Sequence, residues 1–386
     1  MAPVEDMSEQ TAVKPYYKEI DILRGLAILM VLCYHSILVY PVNLHEITWC
    51  RELHSYLWVV EMPLFFLVSG FCFQYGTPEK RNTVKTYGTY LWKKTKRILV
   101  PHVVFGLLDI GMRVLPTGLV NKTDDAGTLL REFLFFGGSD WFLWTLFVMF
   151  LIYPLFHWIF RKGIWGKEVV ILVVCLLYFL RGFLPELFLL STVAEFLPYF
   201  FIGYLIRQSG AYEAVRKTMA NWGVTIVALL ASALFFMMYM QLERGLPLFG
   251  VEIPLLDQYT DRIQDLLQML VALNGALICF KLAELILKGP NPFIEYLESD
   301  GTALVKKSRN RVHGFFLDCS RYSLQLYLLD GYALVVTRTI LVSVLGVTNP
   351  WILILGNFIL DTGICLVLSK YVIDKVKVFR MLCGLA

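Results

Sequence analysis

Charged residues are scarce in this chain. They make up 17% of its 386 residues, whereas aliphatic, aromatic and cysteine residues together make up 57%, which excludes an ordinary soluble domain. The eight cysteines include no Cys-x-x-Cys pair, so neither a zinc site nor a disulfide framework is indicated. A glycine-rich phosphate loop is also missing, which argues against a nucleotide-driven pump. No internal repeat, low-complexity tract or second soluble domain is visible, and we therefore predict a single membrane bundle.

Long apolar runs are what the chain has in abundance. Crossing a hydrocarbon core as a helix takes about 20 residues, and a helix satisfies its backbone hydrogen bonds within the segment. Ten stretches meet this requirement, at 20–42, 56–76, 97–115, 141–161, 168–184, 188–206, 222–241, 264–287, 322–346 and 350–372. The sequence therefore predicts an all-α fold, a polytopic membrane helix bundle with about ten transmembrane helices.

The distribution of lysine and arginine predicts the orientation of the bundle. Placing the N-terminus in the cytoplasm puts most basic residues in cytoplasmic loops, with the densest cluster between Lys80 and Arg97. An even number of spans then returns the C-terminus to the cytoplasm. The expected organisation is a cytoplasmic tail at 1–19, a transmembrane domain at 20–373 and a cytoplasmic tail at 374–386. The first span contains charges and lacks a small-residue cleavage pattern after it, so we interpret it as retained rather than as a signal peptide.

The first apolar run carries two ionisable residues, Arg24 and His35, eleven positions apart. A helix turns about 100° per residue, so this spacing returns to nearly the same face while rising roughly 16 Å. One face would then present a cation near a membrane surface and an imidazole deeper in the membrane. Ionisable groups in a spanning helix are costly and normally face a protein interior or a watery cavity, where they tend to be functional. The alternative is that Arg24 is an interfacial anchor and His35 a hydrogen-bonded packing residue.

A buried histidine can act as a general base, provided that a partner holds its tautomer and orientation. Glu61 is a candidate partner because it and His35 are equally far from the centre of the loop between the first two spans, which predicts a similar depth. The alternative for Glu61 is a partly hydrated position near the outer interface. Asp330 and Asp361 fall near mid-depth in the last two spans and are further candidates for a polar interior. Their alternatives are a bound structural water or a pair with Arg338.

A cluster of cations precedes the third span at its cytoplasmic end and consists of Lys93, Lys94, Lys96 and Arg97. Such clusters attract phosphate groups, and arginine adds planar bidentate geometry. Coenzyme A carries several phosphates and a long flexible arm. Its nucleotide could stay at this rim while its thioester reaches between the helices. The alternative is that the cluster only sets the topology.

Several motifs occur in the order that is typical of one membrane-protein family. They are 21–27 (DILRGLA), 34–36 (YHS), 62–71 (MPLFFLVSGF), Lys94-x-x-Arg97-Ile98-Leu99-x-Pro101, Asp140-Trp141-Phe142-Leu143-Trp144 and 323–329 (SLQLYLL). At these positions the chain resembles the acyltransferase 3 membrane proteins, and the resemblance covers nearly the whole chain. The spacing between Arg24 and His35 is the signature of that family.

The resemblance implies an enzyme that transfers an acyl group, commonly acetyl, from a cytoplasmic acyl-CoA to a hydroxyl of a cell-surface carbohydrate or other envelope molecule. It implies that His35 is the catalytic base and that Arg24, Lys94 and Arg97 hold the donor. Glu61 would assist His35 if the two lie at the similar depth that we predict. It also favours a bacterial cytoplasmic membrane. The expected partners are acyl-CoA, an envelope carbohydrate and membrane lipid, and neither a metal ion nor nucleic acid is expected.

On the acceptor side, we expect Asp140, Trp141 and Asp330 to contact the substrate. The chain departs from the family pattern at three positions. Lys94 replaces the first arginine of an Arg-x-x-Arg pair, which keeps the charge but loses one bidentate fork. Glu61 and Asp330 stand where many glycan-modifying relatives have histidine, so both of these replacements are acidic.

A transporter is the chief alternative from another class. It would use the same buried charges to bind a small polar solute or a glycan precursor, or to carry protons. Broken helices and repeated halves would favour a transporter, and the sequence shows no clear pair of either.

Overall fold

The structure, a computed structural model, describes residues 17–73, 84–114, 125–247, 259–288 and 311–385. These residues form helices and no β-strand, which confirms the predicted all-α class. Most of the predicted N-terminal tail, residues 1–16 of 1–19, lies outside the described part of the chain.

The helices of the first half are α1 (Lys18–His35), α2 (Thr48–Phe71), α3 (Val84–Lys94), α4 (Val100–Val114), α5 (Ala126–Phe136), α6 (Trp141–Phe160), α7 (Gly166–Phe179) and α8 (Leu190–Gln208). Those of the second half are α9 (Tyr212–Ala220), α10 (Trp222–Glu243), α11 (Thr260–Lys288), α12 (Arg311–Arg321), α13 (Ser323–Arg338), α14 (Pro350–Leu368) and α15 (Lys377–Leu382). Wider π-helical turns continue α3 into α4 and extend the ends of α13 and α14.

Seven helical segments in the described residues are long and apolar enough to cross a membrane, and each overlaps one of the predicted spans. They are Thr48–Phe71, Ala126–Phe160, Leu187–Gln208, Trp222–Glu243, Thr260–Lys288, Ser323–Val344 and Pro350–Ile373. The other three predicted spans overlap α1, α4 and α7, which carry more charge or are shorter. Together with the composition, these helices identify an integral membrane protein built as a polytopic bundle.

Helix α1 ends earlier than the sequence indicated. The predicted span was 20–42, but the helix stops at His35, where the Ser36 hydroxyl donates to the Leu32 carbonyl at 2.7 Å. Beyond it, Ile37, Leu38 and Leu44 are buried in non-helical or short 3₁₀ segments. Irregular backbone is tolerated at membrane depth where protein or a cavity surrounds it. Pro41 already indicated that the helix would not continue to 42, because a proline disfavours helical backbone at the residue before it.

Helix α1 lies at the centre of the bundle, packed against α2, α11, α12 and α13. Its approach to α12 is close at Gly25, where a Cβ atom would lie 2.5 Å from the Phe316 carbonyl oxygen. Because neighbouring helices rather than lipid cover α1, ionisable residues on this helix face protein or a cavity. The position of α1 therefore places the helix face that carries Arg24 and His35 inside the bundle.

Helices α2 and α8 cross with their backbones almost in contact. A Cβ atom on Gly70 would lie 1.9 Å from the Phe200 carbonyl oxygen, and one on Gly203 would lie 1.9 Å from that of Leu67. Small residues at such crossings allow the close packing that stabilises helix pairs in membranes. This crossing fixes α2, and with it the depth of Glu61 relative to His35.

Candidate active site

A cavity of about 580 Å³ lies at one end of α1 and brings together five residues that are distant in sequence. We call it the wide cavity. Its lining includes His35, Glu61, Asp140, Trp141 and Asp330. The structure thus gathers every residue that we assigned from the sequence to catalysis or to acceptor binding.

His35 makes its principal polar contact with Asp330 of α13. The Nδ1 atom of the ring is hydrogen-bonded to Asp330 Oδ2, in a contact that is also an ion pair when the ring is protonated. The Asp330 side chain is only 2% exposed, whereas that of His35 is 37% exposed within the wide cavity. Since Nδ1 is engaged, Nε2 is the nitrogen that can meet a ligand. A carboxylate that accepts from Nδ1–H holds the tautomer in which Nε2 is a base.

Glu61 is not the hydrogen-bond partner of His35, contrary to the expected arrangement. Both of its carboxylate oxygens are buried and have no hydrogen-bond partner among the described residues. The depth argument gave the correct neighbourhood, since Glu61 lines the same cavity. It could not resolve which of two acids points at the ring, because α13 brings Asp330 to His35 from far along the chain.

A third acidic residue, Asp361, lies next to the pair formed by His35 and Asp330. Asp361 of α14 is fully buried, lies next to Asp330 and accepts a contact from Cys365 Sγ at 3.5 Å. Adjacent buried carboxylates repel each other when both are charged, so the pair is more stable when Asp361, for which the described residues supply no ion pair, carries a proton and Asp330 stays ionised beside His35. The polar interior that the sequence suggested for Asp330 and Asp361 is therefore a continuous acidic cluster beside His35.

Asp140 and Trp141 enter the wide cavity from the start of α6. Gly137 and Gly138, with φ angles of 74° and 58°, form the turn that leads from α5 into Asp140, the N-cap residue. The Trp141 ring lies 5.8 Å from that of Trp58, which also lines the cavity. Together they give the cavity an aromatic wall facing its acids.

A second cavity, of about 190 Å³, lies toward the other end of α1. We call it the basic cavity, because Arg24, Lys94 and Arg97 all line it. Arg24 donates to Cys72 Sγ at 3.2 Å, and the Lys94 ammonium lies 3.6 Å from the centre of the Phe150 ring. The three residues that we assigned from the sequence to the donor are thus brought together from α1, α3 and the following π-helical turn.

The described part of the C-terminal segment, residues 374–385, packs next to residues of the basic cavity. Gln325 is buried and donates to the Cys383 carbonyl at 2.6 Å. Gly384 has a φ angle of 73°, and a Cβ atom there would lie 2.3 Å from the Arg97 carbonyl oxygen. The sequence treated 374–386 as a tail, but its described part packs against the start of α4 and helps to fix Arg97.

Aromatic side chains separate the two cavities. Tyr327 lines both of them. The Phe142 ring lies 5.5 Å from the Tyr327 ring and 5.4 Å from that of Phe65, which lines the basic cavity. Sequence reasoning gave Tyr327 no role, although its position three residues before Asp330 places it on the same face of α13.

The described residues contain no group of three or more histidine, cysteine or acidic side chains that could hold a metal ion. A histidine oriented by a carboxylate can take a proton from a hydroxyl group, and clustered cations can hold a phosphate-bearing molecule.

Comparisons with known proteins agree with this arrangement at the level of the family. Residues 17–370 match the family model described as an acyltransferase domain, which is nearly the whole chain. Searches of curated proteins and of solved structures found no match. On the strength of the family match, the chain belongs to the acyltransferase 3 family and is a membrane acyltransferase.

Proposed function

We propose that this acyltransferase moves an acyl group, most simply acetyl, from a cytoplasmic acyl-CoA to a hydroxyl of a cell-surface carbohydrate or related envelope molecule. The observation that carries the proposal is the hydrogen bond between His35 and Asp330 in the wide cavity. Through this bond an orienting carboxylate holds His35, the histidine that belongs to the sequence motif and also lines the wide cavity. The basic cavity on the other side of Tyr327 supplies a place for the donor.

The chemistry begins with a proton transfer from the acceptor hydroxyl to Nε2 of His35. The acceptor oxygen attacks the thioester carbonyl carbon, and the carbonyl electron pair moves onto its oxygen. Collapse of this tetrahedral intermediate breaks the carbon–sulfur bond, and the leaving thiolate takes the proton back from His35. Asp330 stays ionised and stabilises the imidazolium that forms between the two transfers.

The donor is proposed to enter at the basic cavity. Arg24, Lys94 and Arg97 would hold its phosphates, and the flexible arm would carry the thioester toward the partition at Tyr327. The bias of lysine and arginine toward this end of the bundle supports a cytoplasmic position for it. The wide cavity would then open to the outer side, where its aromatic wall and acids suit a carbohydrate.

The direct test uses bacterial membranes that contain the full chain, acetyl-CoA labelled in its acetyl group, and polysaccharide extracted from the envelope of the host. We expect label on the polysaccharide together with an equal release of coenzyme A thiol. Membranes without the chain provide the control. Uptake of a solute with no acyl transfer from any acyl-CoA would instead support a carrier and contradict the proposal.

A native cysteine allows donor binding to be measured apart from chemistry. Cys72 is exposed and lies beside Arg24 in the basic cavity. Coenzyme A bound there should slow alkylation of Cys72 by N-ethylmaleimide, because it covers the thiol. The alkylation rate of Cys72 in the same membranes without coenzyme A provides the control. Mass spectrometry of the Cys72 peptide would show equal rates, with and without coenzyme A, if the donor binds elsewhere.

Removing one cation of the basic cavity should weaken donor binding. We expect Arg97→Gln to raise the KM for acyl-CoA about tenfold or more, since a hydrogen bond to a charged group contributes roughly 1.5–3 kcal/mol. Lys96→Gln is the matched control, because Lys96 is the adjacent cation but lies exposed near the Trp92 ring, outside the basic cavity. Equal KM values for the two variants would exclude a specific phosphate contact at Arg97.

A further inference from the structure

The thioester carbonyl needs a defined position when it is attacked, because the proposed base and the proposed donor cations line different cavities. The base lines the wide cavity and the donor cations line the basic cavity. Between Arg24 and His35 the helix rises roughly 16 Å, so the reacting carbon must reach the partition that separates the cavities. Tyr327 is the residue that lines both sides of this partition.

The Tyr327 side chain is held where the two cavities meet. Its ring packs 5.5 Å from that of Phe142, and the backbone amide of Phe142, in the first turn of α6, interacts with its oxygen. The first amides of a helix have no partner within that helix and carry partial positive charge. The contact with the Phe142 amide therefore holds the Tyr327 hydroxyl oxygen as an acceptor, and the hydroxyl hydrogen is directed away from that amide.

The hydroxyl hydrogen of Tyr327 is available for a ligand. Among the described residues no hydrogen-bond acceptor is assigned to it. A tyrosine hydroxyl keeps its hydrogen at neutral pH because its ordinary pKa is about 10. The hydroxyl lies in the electrostatic field of Glu61, Asp140 and Asp330, and Asp330 is the group that orients His35. Tyr327 and the proposed base thus line the same cavity.

We propose that Tyr327 is a catalytic residue whose hydroxyl donates a hydrogen bond to the thioester carbonyl oxygen. This inference rests on the proposed function and adds the group that stabilises the transition state. As the acceptor oxygen bonds to the carbonyl carbon, the carbonyl electron pair moves onto its oxygen and the hydrogen bond from Tyr327 strengthens. No proton leaves Tyr327, and the pair returns when the carbon–sulfur bond breaks. The acceptor proton travels only through His35.

The acidic surroundings explain why such a donor is needed. An oxyanion that forms close to Asp330 and Asp140 is repelled if those groups are charged. A hydrogen-bond donor fixed in advance offsets this cost without reorganisation at the moment of reaction. The i, i+3 spacing of Tyr327 and Asp330 places both side chains on the same face of α13, so the proposed hydrogen-bond donor lies on the face that carries the carboxylate orienting His35.

The test is Tyr327→Phe in the full chain, which removes only the hydroxyl. We expect kcat to fall about 10²- to 10³-fold, as for loss of one oxyanion donor, while the KM for acyl-CoA stays within about twofold. Coenzyme A should protect Cys72 from alkylation as it does in the wild type. Tyr322→Phe is the control, because its hydroxyl bonds to Asp374 and its side chain lines neither cavity.

The outcomes separate the inference from the proposed function. If Tyr327→Phe retains at least half of the wild-type kcat, the hydroxyl has no catalytic role and the inference is wrong, although the proposed function stands. Loss of kcat together with loss of Cys72 protection would show a structural role, and it too would overturn the inference. If the wild type itself shows neither acyl transfer nor protection, the proposed function fails first.

Discussion

Replacing His35 by glutamine should reduce kcat for acyl transfer about 10²- to 10⁴-fold, the usual cost of losing a general base. Glutamine can still hydrogen-bond to Asp330, so the end of α1 should keep its structure, but an amide cannot accept the acceptor proton. The labelled acetyl transfer assay measures the loss. The KM for acyl-CoA should change little, because the donor cations lie at the other end of α1.

The matched control for this variant is His157→Gln. His157 is also a buried helical histidine with a hydrogen bond, between Nδ1 and the Tyr204 hydroxyl at 2.7 Å, but it lines neither cavity. Its replacement should leave kcat near the wild-type value. Full activity of the His35→Gln variant in folded protein would remove the base from the mechanism.

The second large effect is expected for Asp330→Asn. The substitution keeps the shape of the side chain but removes the charge that fixes the Nδ1–H tautomer and stabilises the imidazolium, so kcat should fall by about 10²-fold or more. The assay is again acyl transfer, with Cys72 protection as the measure of intact donor binding.

Glu61→Gln provides the comparison that decides between the two acids. The sequence suggested Glu61 as the partner of the imidazole, whereas in the structure Asp330 makes that hydrogen bond. We therefore expect Glu61→Gln to reduce kcat clearly less than Asp330→Asn does. The reverse order would mean that Glu61 orients the ring during turnover.

Glu61 and Asp330 are also two of the three departures from the family pattern. Glu61 and Asp330 are the two positions at which the resemblance led us to expect histidine, and both line the cavity that holds His35. One of them hydrogen-bonds to the ring and the other is buried without a hydrogen-bond partner among the described residues. These two positions thus add two carboxylates to the lining of the cavity that contains His35.

Residue types and spacing were sufficient to predict most of the bundle. Apolar run length predicted the helices correctly because lipid requires each spanning segment to satisfy its own backbone. The prediction was weakest at 20–42, where a protein interior, rather than lipid, surrounds α1 and allows the helix to end at His35. Run length cannot detect such an end, because buried irregular chain is as apolar as a spanning helix.

The sequence by itself determined the class of protein, the family and the pair of ionisable residues on one face of α1, since each follows from local composition and periodic spacing. Only the tertiary structure decided that Asp330 reaches His35 and that Tyr327 stands between the two cavities. These contacts join helices separated by almost the whole chain, and they depend on how the helices pack around α1. Helical periodicity gives the face on which a side chain lies, but only packing determines what that face meets.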